Sequence, residues 1–159
     1  MSPAGPERPV VAVSSCLLGQ RVRWDGDHKQ SPWVTGHLAT KLTLVPVCPE
    51  LDCGLGVPRP ALVLDPASGA LIEDESGRDH SARMRSWAED RLRELAAMGL
   101  AGYILKARSP SCALEQDRGF FARILLKRFP SLPVVDESML AGPRLCRDFL
   151  VRVRSYAAG

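Results

Sequence analysis

The apolar positions of this chain follow two rhythms. Short β-branched runs such as Val10-Val11-Ala12-Val13, Leu42-Thr43-Leu44-Val45 and Tyr103-Ile104-Leu105 break off at Ser, Pro or a charged residue. Runs that are apolar at successive positions and cut short by turn residues predict strands buried on both faces, the habit of a parallel sheet. From residue 79 or 81 to residue 98 the spacing is helical instead, with Met84, Trp87, Ala88, Leu92, Leu95 and Ala96 on one stripe and Gly99 placed to end it. Helices are also predicted over 119–129, burying Phe120, Ile124, Leu125 and Phe129, and over 143–157, burying Leu145, Phe149, Leu150 and Val153. A shorter one is expected over 33–41, packing Trp33, Val34 and Leu38. Leu62-Val63-Leu64 and Ala70-Leu71-Ile72-Glu73 flank Asp65-Pro66-Ala67-Ser68-Gly69, whose turn chemistry predicts an antiparallel hairpin. A last short strand is expected over 132–136. Strand and helix alternate, so the economical fold is α/β: a single three-layer, Rossmann-like domain over 9–159 with a mainly parallel sheet, after a flexible segment 1–8.

Composition narrows what such a domain does. With 159 residues and 45% hydrophobic content the chain is long enough for one full core. The net charge of +3 is spread along the chain without a basic cluster interleaved with aromatics, which argues against nucleic acid as a partner. No apolar run is long enough to cross a bilayer and residues 1–9 lack a signal-like core, so no membrane is expected and the location is read as cytoplasmic. Five cysteines are an odd count, and in a reducing compartment they point to metal binding or catalysis rather than to a disulfide framework. No G-x-G-x-x-G, P-loop lysine or G-x-S-x-G pattern is present, which weakens dinucleotide, nucleoside triphosphate and serine-hydrolase readings.

Open α/β sheets bind ligands outside the carboxyl ends of their strands. Cys16, Cys48 and Cys112 all fall where a predicted strand gives way to a loop, with Pro49 and Pro110 beside two of them. If they share one sheet edge, their thiolates converge without any C-x-x-C spacing. Against this stands the fact that free cysteine is also a small core residue, and Cys146, inside the last helix, is expected to be inert packing. Cys53 is open between fourth ligand, neighbouring thiol and bystander. Glu50 follows Cys48 by two; it is placed either to cap a helix or pair with Arg59 or Lys29, or to transfer protons beside a thiolate site. Ser109 and Ser111 bracket Pro110, where hydroxyls commonly bond the local backbone but also hold substrate heteroatoms. The charged loop 19–30 and the Gly/Pro-rich stretch 54–60 are expected as walls of the site. His28, His37 and His80 show no metal-ligand spacing, and His28 is the one expected near the site. Competing readings are a closed zinc-thiolate site made from Cys16, Cys48, Cys112 and Cys53, and a binding module whose Arg-rich last helix docks a protein partner or a second copy of the chain.

Several linked motifs, in order over nearly the whole chain, resemble the 2-thiouracil desulfidase family. They are Ser14-Ser15-Cys16-Leu17-Leu18-Gly19, Arg23-Trp24-Asp25-Gly26, Pro46-Val47-Cys48-Pro49-Glu50, Gly54-Leu55-Gly56-Val57-Pro58-Arg59-Pro60, Gly77-Arg78-Asp79-His80 and Leu105-Lys106 with Ser109-Pro110-Ser111-Cys112. The resemblance implies a non-redox desulfidase that takes a thiolated pyrimidine nucleobase and releases sulfide. It also implies a [4Fe-4S] cluster held by Cys16, Cys48 and Cys112, with one iron open to the substrate sulfur, Glu50 as acid/base and Ser109 as a catalytic or positioning group. The chain departs from the family pattern at Ala113, where the family usually has Gly, and at the short passage over 116–119. Cys53 and the tail beyond Phe129 resemble a branch in which a second, helical domain follows; this chain is expected to form the one domain.

Overall fold

The computed structural model describes residues 8–114 and 118–159, so the expectations for the N-terminal segment fall almost wholly, and that for the passage over 116–119 partly, outside the described residues. In chain order the strands are β1 (Val10–Ser14), β2 (Thr43–Val47), β3 (Leu62–Leu64), β4 (Leu71–Glu73), β5 (Leu100–Leu105) and β6 (Val134–Asp136), with helices α1 (Ser81–Ala97), α2 (Phe120–Arg128) and α3 (Pro143–Ala158). The central sheet runs β2-β1-β5-β6 and every pairing in it is parallel. β3 and β4 form the separate antiparallel hairpin that the turn residues predict.

The alternation of side chains along β1 explains the three layers. Ala12 joins the core cluster containing Met84, Leu92 and Leu95 of α1 and Phe121 and Leu125 of α2. Val11 and Val13 join the opposite cluster with Val34, Leu38 and Phe149, Leu150 and Val153 of α3. A sheet covered on both faces must be apolar at consecutive positions, which is why its strands show no polar alternation in sequence. At Gly102 of β5 a Cβ would come within 2.9 Å of Val153, so the bare backbone lets α3 settle against the sheet.

Three expectations are corrected here. Ala96 is exposed, and the inward stripe of α1 runs through Met84, Ala88, Leu92 and Leu95. Leu145 is 43% exposed, and the inward stripe of α3 runs instead through Cys146, Phe149, Leu150 and Val153. A spacing of three to four residues fits Cys146 onto that stripe, and counting cysteine among the apolar residues removes the error. The short helix ends at Leu38 and is a single wide, π-helical turn, Trp33–Leu38, rather than a longer α-helix.

Candidate active site

Parallel pairing puts the ends of β1, β2 and β5 side by side, and the loops that leave them build one cleft of about 710 Å³. Cys16, Cys48 and Cys112 all line it, together with Glu50, Arg59, Lys106, Ser109, Ser111 and Glu137. Each cysteine is held by local backbone bonding. Cys16 lies in a tight turn, Ser15–Leu18, directly after β1, and its carbonyl accepts from Gly19 and Lys29. Cys48 follows β2, and its N–H donates to the Asp52 carboxylate at 3.0 Å. The Cys112 N–H donates to Ser109 Oγ at 3.1 Å.

The Cys112 loop is fastened onto the start of α2. Phe120 N donates to Pro110 O and Ala122 N to Ser111 O, so helix-end donors that would otherwise lack partners hold the loop. Gly119 makes this approach feasible, because a Cβ there would collide with the backbone of Ser111 and Cys112. Ala113, in place of the family's usual Gly, does not adopt a positive φ, so its Cβ brings no backbone strain to the turn.

Burial dominates the electrostatics of the thiols. It pushes Cys16 up to about 11, reinforced by Cys48 and opposed by the Lys106 ammonium. Burial likewise raises Cys48, and it raises Cys112 most of all, against a Ser14 hydroxyl that faces the sulfur. Thiols that resist ionisation are poor nucleophiles by themselves. They become good ligands where a bound cation offsets the cost of losing the proton.

Glu50 is buried and bonded at both oxygens: Arg59 Nε donates to Oε1 at 2.9 Å and Ser111 Oγ donates to Oε2 at 2.8 Å. The pairing with Arg59 foreseen from sequence is therefore present, and it occurs inside the cleft. Ser109 Oγ accepts the N–H groups of Ser111 and Cys112, which leaves its own proton free to donate. Cys53 does not line the cleft; its Sγ lies 3.5 Å from Glu50 O, and burial raises its pKa to about 11. Cys146 packs in the core under α3, as its helical position suggests. His28 does not reach the cleft, whose wall here is formed by Arg23, Trp24, Lys29 and Gln30. His80 pairs with Glu73 at 2.8 Å, away from the cysteines.

Sequence reading missed Glu137. Its carboxylate meets Lys106 Nζ at 2.9 Å and accepts Ala107 N at 2.6 Å. The two positions are 31 apart and no motif links them, but the pairing of Leu105 with Asp136 in β5 and β6 sets them side by side. Arg108, at the rim, holds a left-handed φ of 61°, a conformation uncommon outside glycine and often retained at functional sites.

Comparison with known proteins places the chain in a family. The family model described as 2-thiouracil desulfurase matches residues 11–137. An uncharacterised protein of Bacillus subtilis (strain 168), YbbK, is 34% identical over 110 residues, covering 65% of this chain and 72% of that protein. A solved structure of the [4Fe-4S]-dependent thiouracil desulfidase TudS superposes with a TM-score of 0.73 at 31% identity, covering 91% of this chain and 99% of that one.

Proposed function

The chain belongs to the 2-thiouracil desulfurase family, and from that premise we propose that it removes sulfur from a thiolated pyrimidine such as 2-thiouracil, using a [4Fe-4S] cluster held by Cys16, Cys48 and Cys112. The observation that carries this reading is the meeting of three thiols from three separate strand ends in one cleft beside a buried, doubly bonded Glu50. The donor set fits the group. Thiolates are the usual ligands of iron–sulfur clusters, and among the described residues no three His, Cys, Asp or Glu side chains gather tightly enough for a single metal ion. A cluster spreads its ligands over several irons, whereas the closed zinc site weighed from sequence requires four donors around one ion. Cys53, outside the cleft, is not there to close the set.

With three protein ligands, the cluster when bound supplies one thiophilic iron that polarises a thiocarbonyl sulfur. The protein's own groups handle the ring and the protons. Water replaces sulfur at carbon, both of its protons leave on the sulfide, and no electron is gained or lost, so the exchange is non-redox. Glu50 is the group we assign to take a proton from the attacking water and return it to the sulfide. Ser109, with its proton free, donates to the ring. The pair Lys106–Glu137 also lines the cleft and places a fixed cation near Cys16. Among the described residues no helix is long and apolar enough to cross a membrane, and we assign the protein to the reducing cytoplasm, where its free thiols and cluster would persist.

The test is one anaerobic preparation measured three ways: iron, sulfide and zinc content, visible absorption, and sulfide released from 2-thiouracil with uracil as co-product. Brown protein that releases both products bears out the reading. Colourless zinc-loaded protein, or iron-loaded protein inert towards thiolated pyrimidines, overturns it.

A further inference from the structure

We infer that Arg59 and Ser111 are positioning residues that aim the Glu50 carboxylate into the cleft, a role that rests on the proposed desulfidation. The two donors come from different loops and take different oxygens. Each is anchored in its own right. Arg59 Nη1 donates to Gly56 O at 2.8 Å, which braces the guanidinium against its own loop, and Arg59 N donates to Trp24 O at 2.9 Å, which ties the backbone of the residue to the 23–27 loop. Ser111 has its N–H taken by Ser109 Oγ and its carbonyl by Ala122 N, and Gly119 packs against its backbone.

Both partners are out of solvent: side-chain exposure is 4% for Arg59 and 10% for Glu50. A buried ion pair adds little net stability over well-packed apolar residues, so fold stability alone does not account for this one. What the arrangement supplies is orientation. A free glutamate side chain samples several rotamers, and donors on both oxygens select one while leaving a second lone pair on each oxygen for a proton in the cleft. The resemblance singles out Ser109 as the functional hydroxyl, whereas the geometry gives Ser111 the contact with the carboxylate.

Glutamate labelled with 13C at the side-chain carboxyl tests the contact in cluster-free protein, the Glu50 signal being assigned by its loss in Glu50→Gln. That signal should move in Arg59→Lys and in Ser111→Ala, and stay in place in the exposed control Lys127→Ala. In cluster-loaded protein each of the first two variants should lower kcat by about ten- to a hundredfold with little change in KM, the reach of a small misplacement of a reacting group. Neither should lower turnover further when combined with Glu50→Gln, because both act through that residue. An unmoved carboxyl signal, or losses that multiply with Glu50→Gln, overturns the positioning role. If wild-type protein turns over no thiolated pyrimidine, the desulfidase reading fails and the carboxyl signal alone decides whether the two residues hold Glu50.

Discussion

Two cysteines at the carboxyl edge of the sheet, Cys16 and Cys112, and the cysteine of α3 are hidden to a similar degree in different settings. Cys16 and Cys112 are 7% and 4% exposed and Cys146 is 0%, so access to solvent does not separate them. Their neighbours do. Cys146 sits among Phe149, Leu150 and Val153 with its Sγ donating to Leu140 O at 3.3 Å, a core contact that an apolar side chain of similar size would nearly replace. Cys16 and Cys112 line a cleft together with Cys48, Glu50 and Lys106. A thiol on the inward face of a helix is surrounded by its own packing layer, whereas one just past a parallel strand stands where the sheet ends and helices no longer cover it. Place in the topology, more than burial, marks a cysteine as a candidate ligand.

The largest expected effect breaks the comparison outright. Ser in place of Cys16, Cys48 or Cys112 should abolish iron retention after anaerobic reconstitution, while Cys53→Ser and Cys146→Ser should keep it, since a hydroxyl is a poor ligand beside a thiolate. Iron content after gel filtration checks this, and loss of iron in the Cys146 variant would erase the distinction.

Next in size is Glu50→Gln. It should retain the visible spectrum while sulfide release falls by roughly 10² to 10⁴, the span of general acid–base catalysis. Equal rates for variant and wild type would remove Glu50 from the chemistry.

A third expectation sharpens the edge without touching a ligand. Gly119→Ala forces a Cβ into the backbone of Ser111 and Cys112, and should cost about 1–3 kcal/mol of stability, as overpacking does, with weaker iron retention. Urea unfolding of the cluster-free protein measures the first part and iron analysis the second. In Cys146→Ser, by contrast, stability should fall by about 1 kcal/mol with iron unchanged.

The smallest effect concerns pH. Burial raises Cys53 from 9.0 to about 11, so between those values the unfolded chain loses this proton before the folded one does. Stability therefore falls as pH rises through that window. Cys53→Ala should flatten part of the decline in cluster-free protein, followed as the urea midpoint from pH 8 to 11; an unchanged slope would contradict the assignment.

The buried strands, the hairpin, the three main helices and the candidate ligands were legible from local pattern. β-Branched runs ending at Ser, Pro or Cys identified β1 and β2, and the stripe through Met84, Leu92 and Leu95 identified α1. The motif resemblance reached further, naming the family before any coordinates. The differences lie where one side chain decides: Leu145 faces outward while Cys146 takes the inward place beside it, and the helix over 33–41 is a single wide turn.

The sequence alone determined which residues are candidates for chemistry and that they close strands, because chemical type and strand period are local properties. Tertiary structure decided which of them meet. That Cys16, Cys48 and Cys112 share a cleft follows from the order β2-β1-β5, which no local signal encodes. That Glu50 is held by Arg59 and Ser111, and Lys106 by Glu137, follows from loops brought together by strand pairing across long separations. Such contacts form only after the chain has closed long loops onto a common sheet, so they belong to the fold as a whole rather than to any segment of it.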